Sequence, residues 1–187
     1  MDRGGGFSLL EVLFATTVLT VALAGLAQLF AVATRANSRA RATTYAAILA
    51  QQKMEQLRNL TYAFDALGLP RTDVDTDLTV VPELPNGGTG LRPSPAGALG
   101  ANTVGYVDYL DANGTSLGGR MAIPPPGAVY IRRWSVEPLP TNPNDTIVLQ
   151  VLVTRNRNRG VADNAGGVAT RLPDEARFVT VKTRKAS

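Results

Sequence analysis

Glu11 is the only formally charged residue in the apolar run 7–34, FSLLEVLFATTVLTVALAGLAQLFAVAT. The run is long enough to span a bilayer, and a charge at mid-bilayer costs roughly 2.5–3.5 kcal/mol on insertion scales, so the chemistry to expect of this carboxylate is pairing. Its place near the start of the segment lessens the cost, because it can reach the interface and the positive end of a helix dipole. Other groupings offer less. Asp73, Asp75 and Asp77 alternate and would set three carboxylates on one side of an extended segment, where a cation could bind, but charge runs of this kind are ordinarily solvated loops. In YLDANG, residues 109–114, the register that puts Gly114 at the glycine of a calcium loop places Tyr109 first and Arg120 at the bidentate position, which excludes that motif. Arg155, Arg157 and Arg159 with Lys182, Arg184 and Lys185 would form a basic edge toward DNA phosphates. No aromatics interleave with them, and cations on sheet edges usually block strand-to-strand aggregation, so nucleic acid is not an expected partner.

Absences narrow the field further. The sequence has no histidine and no cysteine, which removes the commonest general base, the commonest zinc ligand, thiolate metal sites and any disulfide framework. Gly87-Gly88 and Gly166-Gly167 lack the strand, helix and lysine of a phosphate-binding loop and read as turns. With no convergent nucleophile or carboxylate pair, an enzyme is not expected, nor a cofactor or metal. The net charge of +4 is modest and mostly arginine. Apolar residues concentrate near the N-terminus and the remainder reads as a soluble head, so the elements to look for are one membrane-type helix and one folded domain.

The six residues before the run, MDRGGG, are unlike a secretory signal, whose cleavage site follows its apolar region. Arg3 is balanced by Asp2, and Arg35, Arg39 and Arg41 follow the run, so charge counting leaves the orientation open. The string GGGFSLLEVLFA resembles the cleavage and methylation motif of type IV prepilins and type II secretion pseudopilins: a short leader ending in Gly6, Phe7 opening the mature chain, Glu11 at its fifth position and an uninterrupted apolar run. The resemblance implies that a prepilin peptidase cuts between Gly6 and Phe7 and methylates the new amine of Phe7. It also implies that Glu11 pairs with the Phe7 amine of a neighbouring subunit. Such a pair would neutralise both charges in an apolar filament core and set the axial register, since a buried charge is tolerated only where its partner is. Gly25 is the one strong helix-weakening residue in the run, and the proline that many major pilins carry there is absent.

Beyond the run the pattern turns amphipathic. Ala46, Leu49, Ala50, Met54, Leu57 and Leu60 fall on one side at helical spacing, with Gln51, Gln52, Glu55, Arg58 and Asn59 opposite, so a helix over about 8–60 is expected to pack its second half on a partner layer. The stretch AAILAQQKMEQLRNL resembles the same region of PilV-type minor pilins. Residues 68–126 are dense in Gly, Pro, Asp and Asn and read as loops, with short extended pieces at 78–81 and 104–110, the second followed by an Asn113-Gly114 turn. Stronger strands are expected at 129–136 (VYIRRWSV), 147–154 (IVLQVLVT) and 177–183 (RFVTVKT), with Ile147, Leu149, Val151 and Val153 on one side. The first two of these strands again resemble PilV-type minor pilins.

The expectation is therefore an α+β chain: a long N-terminal hydrophobic helix whose C-terminal half packs on a small antiparallel sheet. Residues 1–6 form a leader that is removed, 7–34 a transmembrane and filament-core helix, 35–62 its amphipathic half and 63–187 a loop-rich sheet head. The resemblance implies a minor type IV pilin with no enzymatic activity. Its partners would be the prepilin peptidase, the major pilin and other minor pilins, the inner-membrane assembly platform and, before assembly, the lipid bilayer. Its location would be the bacterial inner membrane as a single-pass protein with the head outside the cytoplasm, then the surface pilus. A type II secretion minor pseudopilin, a DNA-uptake pilin and a membrane-anchored binding domain are the alternatives.

Overall fold

A computed structural model describes residues 8–73, 90–119, 121–156 and 175–185. Among these residues the chain forms one helix, α1 (Leu9–Asn59), and six strands: β1 (Tyr62–Phe64), β2 (Pro70–Thr72), β3 (Val107–Leu110), β4 (Tyr130–Pro138), β5 (Thr146–Arg155) and β6 (Ala176–Thr183). The helix opens where the Ser8 carbonyl accepts the amides of Glu11 and Val12. With no proline to interrupt it, α1 continues through Gly25, an acidic residue in its first turn and Arg58 in its last, each favourable to the dipole.

The chain divides into two compact units after Arg41. In the first, every described residue of α1 is exposed. In the second, the remainder of α1 turns Ala42, Ala46, Leu49, Ala50, Lys53, Met54 and Leu57 inward, while Gln51, Gln52, Glu55, Arg58 and Asn59 stay exposed. Of these, Ala46, Leu49, Ala50, Met54 and Leu57 share a single core with Trp134, Val136, Ile147, Leu149, Val151 and Val153, so the expected helix-on-sheet packing is present. The sheet is antiparallel in the order β3-β4-β5-β6, and Trp134 opposite Val151 and Val136 opposite Leu149 put the apolar side of both central strands under the helix. On the reverse side Val107, Tyr109 and Ile131 form a smaller cluster.

Strands β4, β5 and β6 fall where the sequence places them, within a residue or two, and β3 lies inside the expected 104–110 piece. The turn after β3 needs its glycine. Gly114 has φ of 79°, and a Cβ there would stand 2.9 Å from both Leu49 Cδ2 and Tyr45 Oη. The β1–β2 hairpin was not expected. Its strands are too short to show alternation, and it is held by Asp65, whose Oδ1 accepts the Leu67 and Leu69 amides, and by Lys185, which pairs in parallel with Ala63. The expected strand at 78–81 lies outside the described residues.

Candidate functional site

Three residues carry the N-terminal expectation. Gly6 and Phe7 lie outside the described residues. Glu11 is exposed in the first turn of α1. Around and beyond it, large apolar side chains stand in the open on all sides of the helix: Leu9 is 86% exposed, Phe14 72% and Phe30 71%. Three of the polar side chains that share this segment are turned onto the backbone. Thr16 and Thr17 donate their hydroxyls to the Leu13 carbonyl, and Thr20 donates to that of Thr16, at 2.7 to 3.0 Å. These bonds satisfy the hydroxyls within the helix, which lets them sit in an apolar medium. Apart from Glu11 and a few neutral polar residues such as Gln28, the described part of the run presents a surface suited to lipid or to other apolar helices.

The head handles charge in the opposite way. Arg132 on β4 and Asp108 on β3 are paired in register, and their buried side chains meet with Nε to Oδ1 at 2.9 Å and Nη2 to Oδ2 at 2.6 Å. The remaining fork nitrogen of Arg132 reaches the Leu49 carbonyl at 3.0 Å and Gln52 Oε1 at 3.4 Å, so this pair bolts the sheet to α1. One helical turn on, buried Lys53 sets its ammonium 3.6 Å from the Trp134 ring centroid, a cation–π contact between the same two layers. Arg133, on the reverse side of β4, donates to Asn102 Oδ1 at 2.9 Å.

Lys182 closes the C-terminal end of α1. Its Nζ donates to the carbonyls of Leu57, Arg58 and Leu60, which are among the acceptors that a helix end leaves unsatisfied. Burial first, then the nearby charge of Lys185, lowers its pKa from 10.5 to about 8. Next along the chain, Arg184 reaches the carbonyls of Ala63, Arg71 and Asn144 and stacks 4.1 Å from the Tyr62 ring.

This geometry reassigns two of the groupings considered from sequence. Within the basic edge, Lys182 and Arg184 hold the helix end and the hairpin, and Arg155 lies 6.0 Å from the Tyr130 ring; Arg157 and Arg159 lie outside the described residues. Of the three alternating aspartates, Asp73 accepts the Thr61 amide at 2.6 Å, just past the end of α1, while Asp75 and Asp77 are outside the described residues. Among the described residues no group of three or more histidine, cysteine, aspartate or glutamate side chains is placed to hold a metal.

Sequence reasoning missed the Asp108–Arg132 bolt and the Lys53–Trp134 contact. A signal for Lys53 was present, since it sits three residues after Ala50 and four before Leu57 on the apolar stripe, where a lysine has to bury its ammonium against something. Nothing comparable marked Asp108, whose partner is set by strand register. Comparison of the chain with protein-family models, with curated proteins and with solved structures finds no match.

Proposed function

We propose that this chain is a minor type IV pilin, a structural subunit cut by a prepilin peptidase between Gly6 and Phe7, methylated at Phe7 and assembled through its N-terminal helix. The observation that carries the reading is the pairing of the GGGFSLLEVLFA string with a continuous helix that is apolar and exposed up to its arginines and packed on an antiparallel sheet after them. The helix is long and apolar enough to cross a membrane. At roughly 1.5–3 kcal/mol for each large apolar side chain removed from water, the exposed leucines, valines and phenylalanines of this segment together outweigh the ~5–15 kcal/mol that holds a whole domain folded. Water is therefore not their working environment, and the ~3 kcal/mol cost of one carboxylate does not reverse that balance.

In this reading the bilayer covers the segment before assembly and neighbouring helices cover it afterwards. Glu11 would then take the amine of Phe7 on an adjacent subunit, so that the one charge in the segment fixes how far one helix slides along the next. The head needs no chemistry of its own in this role. A type II secretion pseudopilin would share all of the N-terminal features; the YIRRWSVEP strand and the QKME turn of the helix favour the pilus.

Mass spectrometry of the protein purified from membranes with and without its prepilin peptidase tests the reading. The expected mature chain begins at N-methylated Phe7 only when the peptidase is present, and Glu11→Gln is then expected to be cleaved normally but to enter filaments poorly. Retention of residues 1–6 in both strains would leave an ordinary membrane-anchored domain instead.

A further inference from the structure

We propose that Arg35, Arg39 and Arg41 form a docking band for the headgroups of anionic phospholipids at the far end of the apolar segment. The inference rests on the membrane reading above and adds a partner to it. All three arginines are exposed, and they occupy the stretch of α1 between the apolar run and Ala42, the first buried residue of the head. Between Glu11 and Glu55 the sequence has no acidic residue, so no carboxylate along the helix offsets the charge of Arg35 or Arg41. Among the described residues no ion pair holds Arg35 or Arg41, in contrast to Arg58, Arg132 and Arg184 in the head.

Spacing places the band at the right depth. From Glu11 to Arg35 an α-helix rises about 36 Å at 1.5 Å per residue. A hydrocarbon core is about 30 Å thick, and about 40–45 Å with its headgroup regions, so a helix with Glu11 at one interface carries Arg35 into the opposite headgroup layer. Arg35 and Arg39 are one turn apart on the same side, while Arg41 points away from them, so the band reaches lipids on more than one side of the helix. A guanidinium fork suits the chemistry, since it donates two parallel hydrogen bonds to a phosphate and sheds water more readily than an ammonium. Each arginine near an anionic surface is worth about a fivefold preference.

The full chain reconstituted in phosphatidylcholine bilayers, with either spin-labelled phosphatidylglycerol or spin-labelled phosphatidylcholine as reporter, tests this. Electron paramagnetic resonance resolves the lipid held at the protein surface. The expected result is at least about a fivefold preference for the anionic label, falling toward unity in the Arg35→Gln/Arg39→Gln/Arg41→Gln variant and, for the unaltered chain, at high salt. Equal retention of the two labels by the unaltered chain would overturn the proposal, and so would a preference that survives the triple substitution. No retained lipid of either kind would mean that the helix does not enter the bilayer, and the membrane reading would fail with it. The salt titration needs no variant, so the result stands even if the triple substitution impairs insertion.

Discussion

Residues 9–34 and 42–59 belong to one uninterrupted helix, yet they treat polarity in opposite ways. In the first stretch leucine, valine and phenylalanine stand exposed all round; in the second, glutamine, glutamate and arginine are exposed while a lysine is buried. Because an α-helix satisfies its own backbone, its side chains alone decide what must surround it. An apolar run without a polar face calls for a medium other than water, whereas an amphipathic run calls for one partner layer and accepts charge inside if that layer supplies a counter-group. The ionisable groups show the same contrast: Glu11 is exposed, and Asp108 is locked to Arg132.

The largest expected effect tests whether charge in the head is held by its partner. Arg132→Ala should destabilise the head by about 3–5 kcal/mol, because it strands a buried carboxylate. Denaturation of the full chain in mild detergent, followed through Trp134, the only tryptophan, reads the head alone. Arg58→Ala on the exposed side of the helix should stay within about 0.5 kcal/mol. Similar losses for the two would break the distinction between buried and exposed cations.

Two glycines sharpen the contrast at a smaller scale. A Cβ on Gly119 would stand 2.1 Å from the Val107 carbonyl oxygen, a backbone atom that cannot swing away, so Gly119→Ala should cost about 1–3 kcal/mol or more in the same assay. Around Gly25 a Cβ meets nothing within 4 Å, and Gly25→Ala should strengthen the helix by about 0.5–1 kcal/mol, seen as a rise in helical circular dichroism with the Trp134 transition unmoved. Loss of helix in Gly25→Ala would show that the apolar segment needs its glycine.

The smallest effect concerns the helix end. With the Lys182 pKa lowered to about 8, the folded chain releases a proton that the unfolded chain keeps until about 10.5, so stability should rise between those two values of pH. Below about 8 both states are protonated and this contribution to the pH slope vanishes. The group is only partly buried, so the gain should be less than about 1 kcal/mol after solvent screening. Comparing the pH profile of unfolding with that of Lys182→Met isolates it, and parallel profiles would remove Lys182 from the account.

Much of this architecture was legible residue by residue. The apolar run without proline, the amphipathic stripe from Ala46 to Leu60 and the alternation of Ile147, Leu149, Val151 and Val153 each state which side must be covered, because periods of 3.6 and 2 map directly onto helix and strand faces. The candidate site at Gly6, Phe7 and Glu11 is a reading of sequence alone: its residues fall within one six-residue stretch, and Gly6 and Phe7 lie outside the described residues. The three-residue strands of the β1–β2 hairpin left no such trace, being too short for either period to appear.

What the chain alone determined, then, were the elements that repeat a local pattern and the charge pattern along the helix. Tertiary structure decided which charges are buried and against what. Asp108 and Arg132 are 24 residues apart in the chain and meet only through strand register, Lys53 finds Trp134 only when the helix lies on the sheet, and Lys182 caps a helix that ends more than a hundred residues before it. A buried charge is tolerated where folding brings a counter-group within hydrogen-bonding reach, and sequence spacing carries no record of that distance.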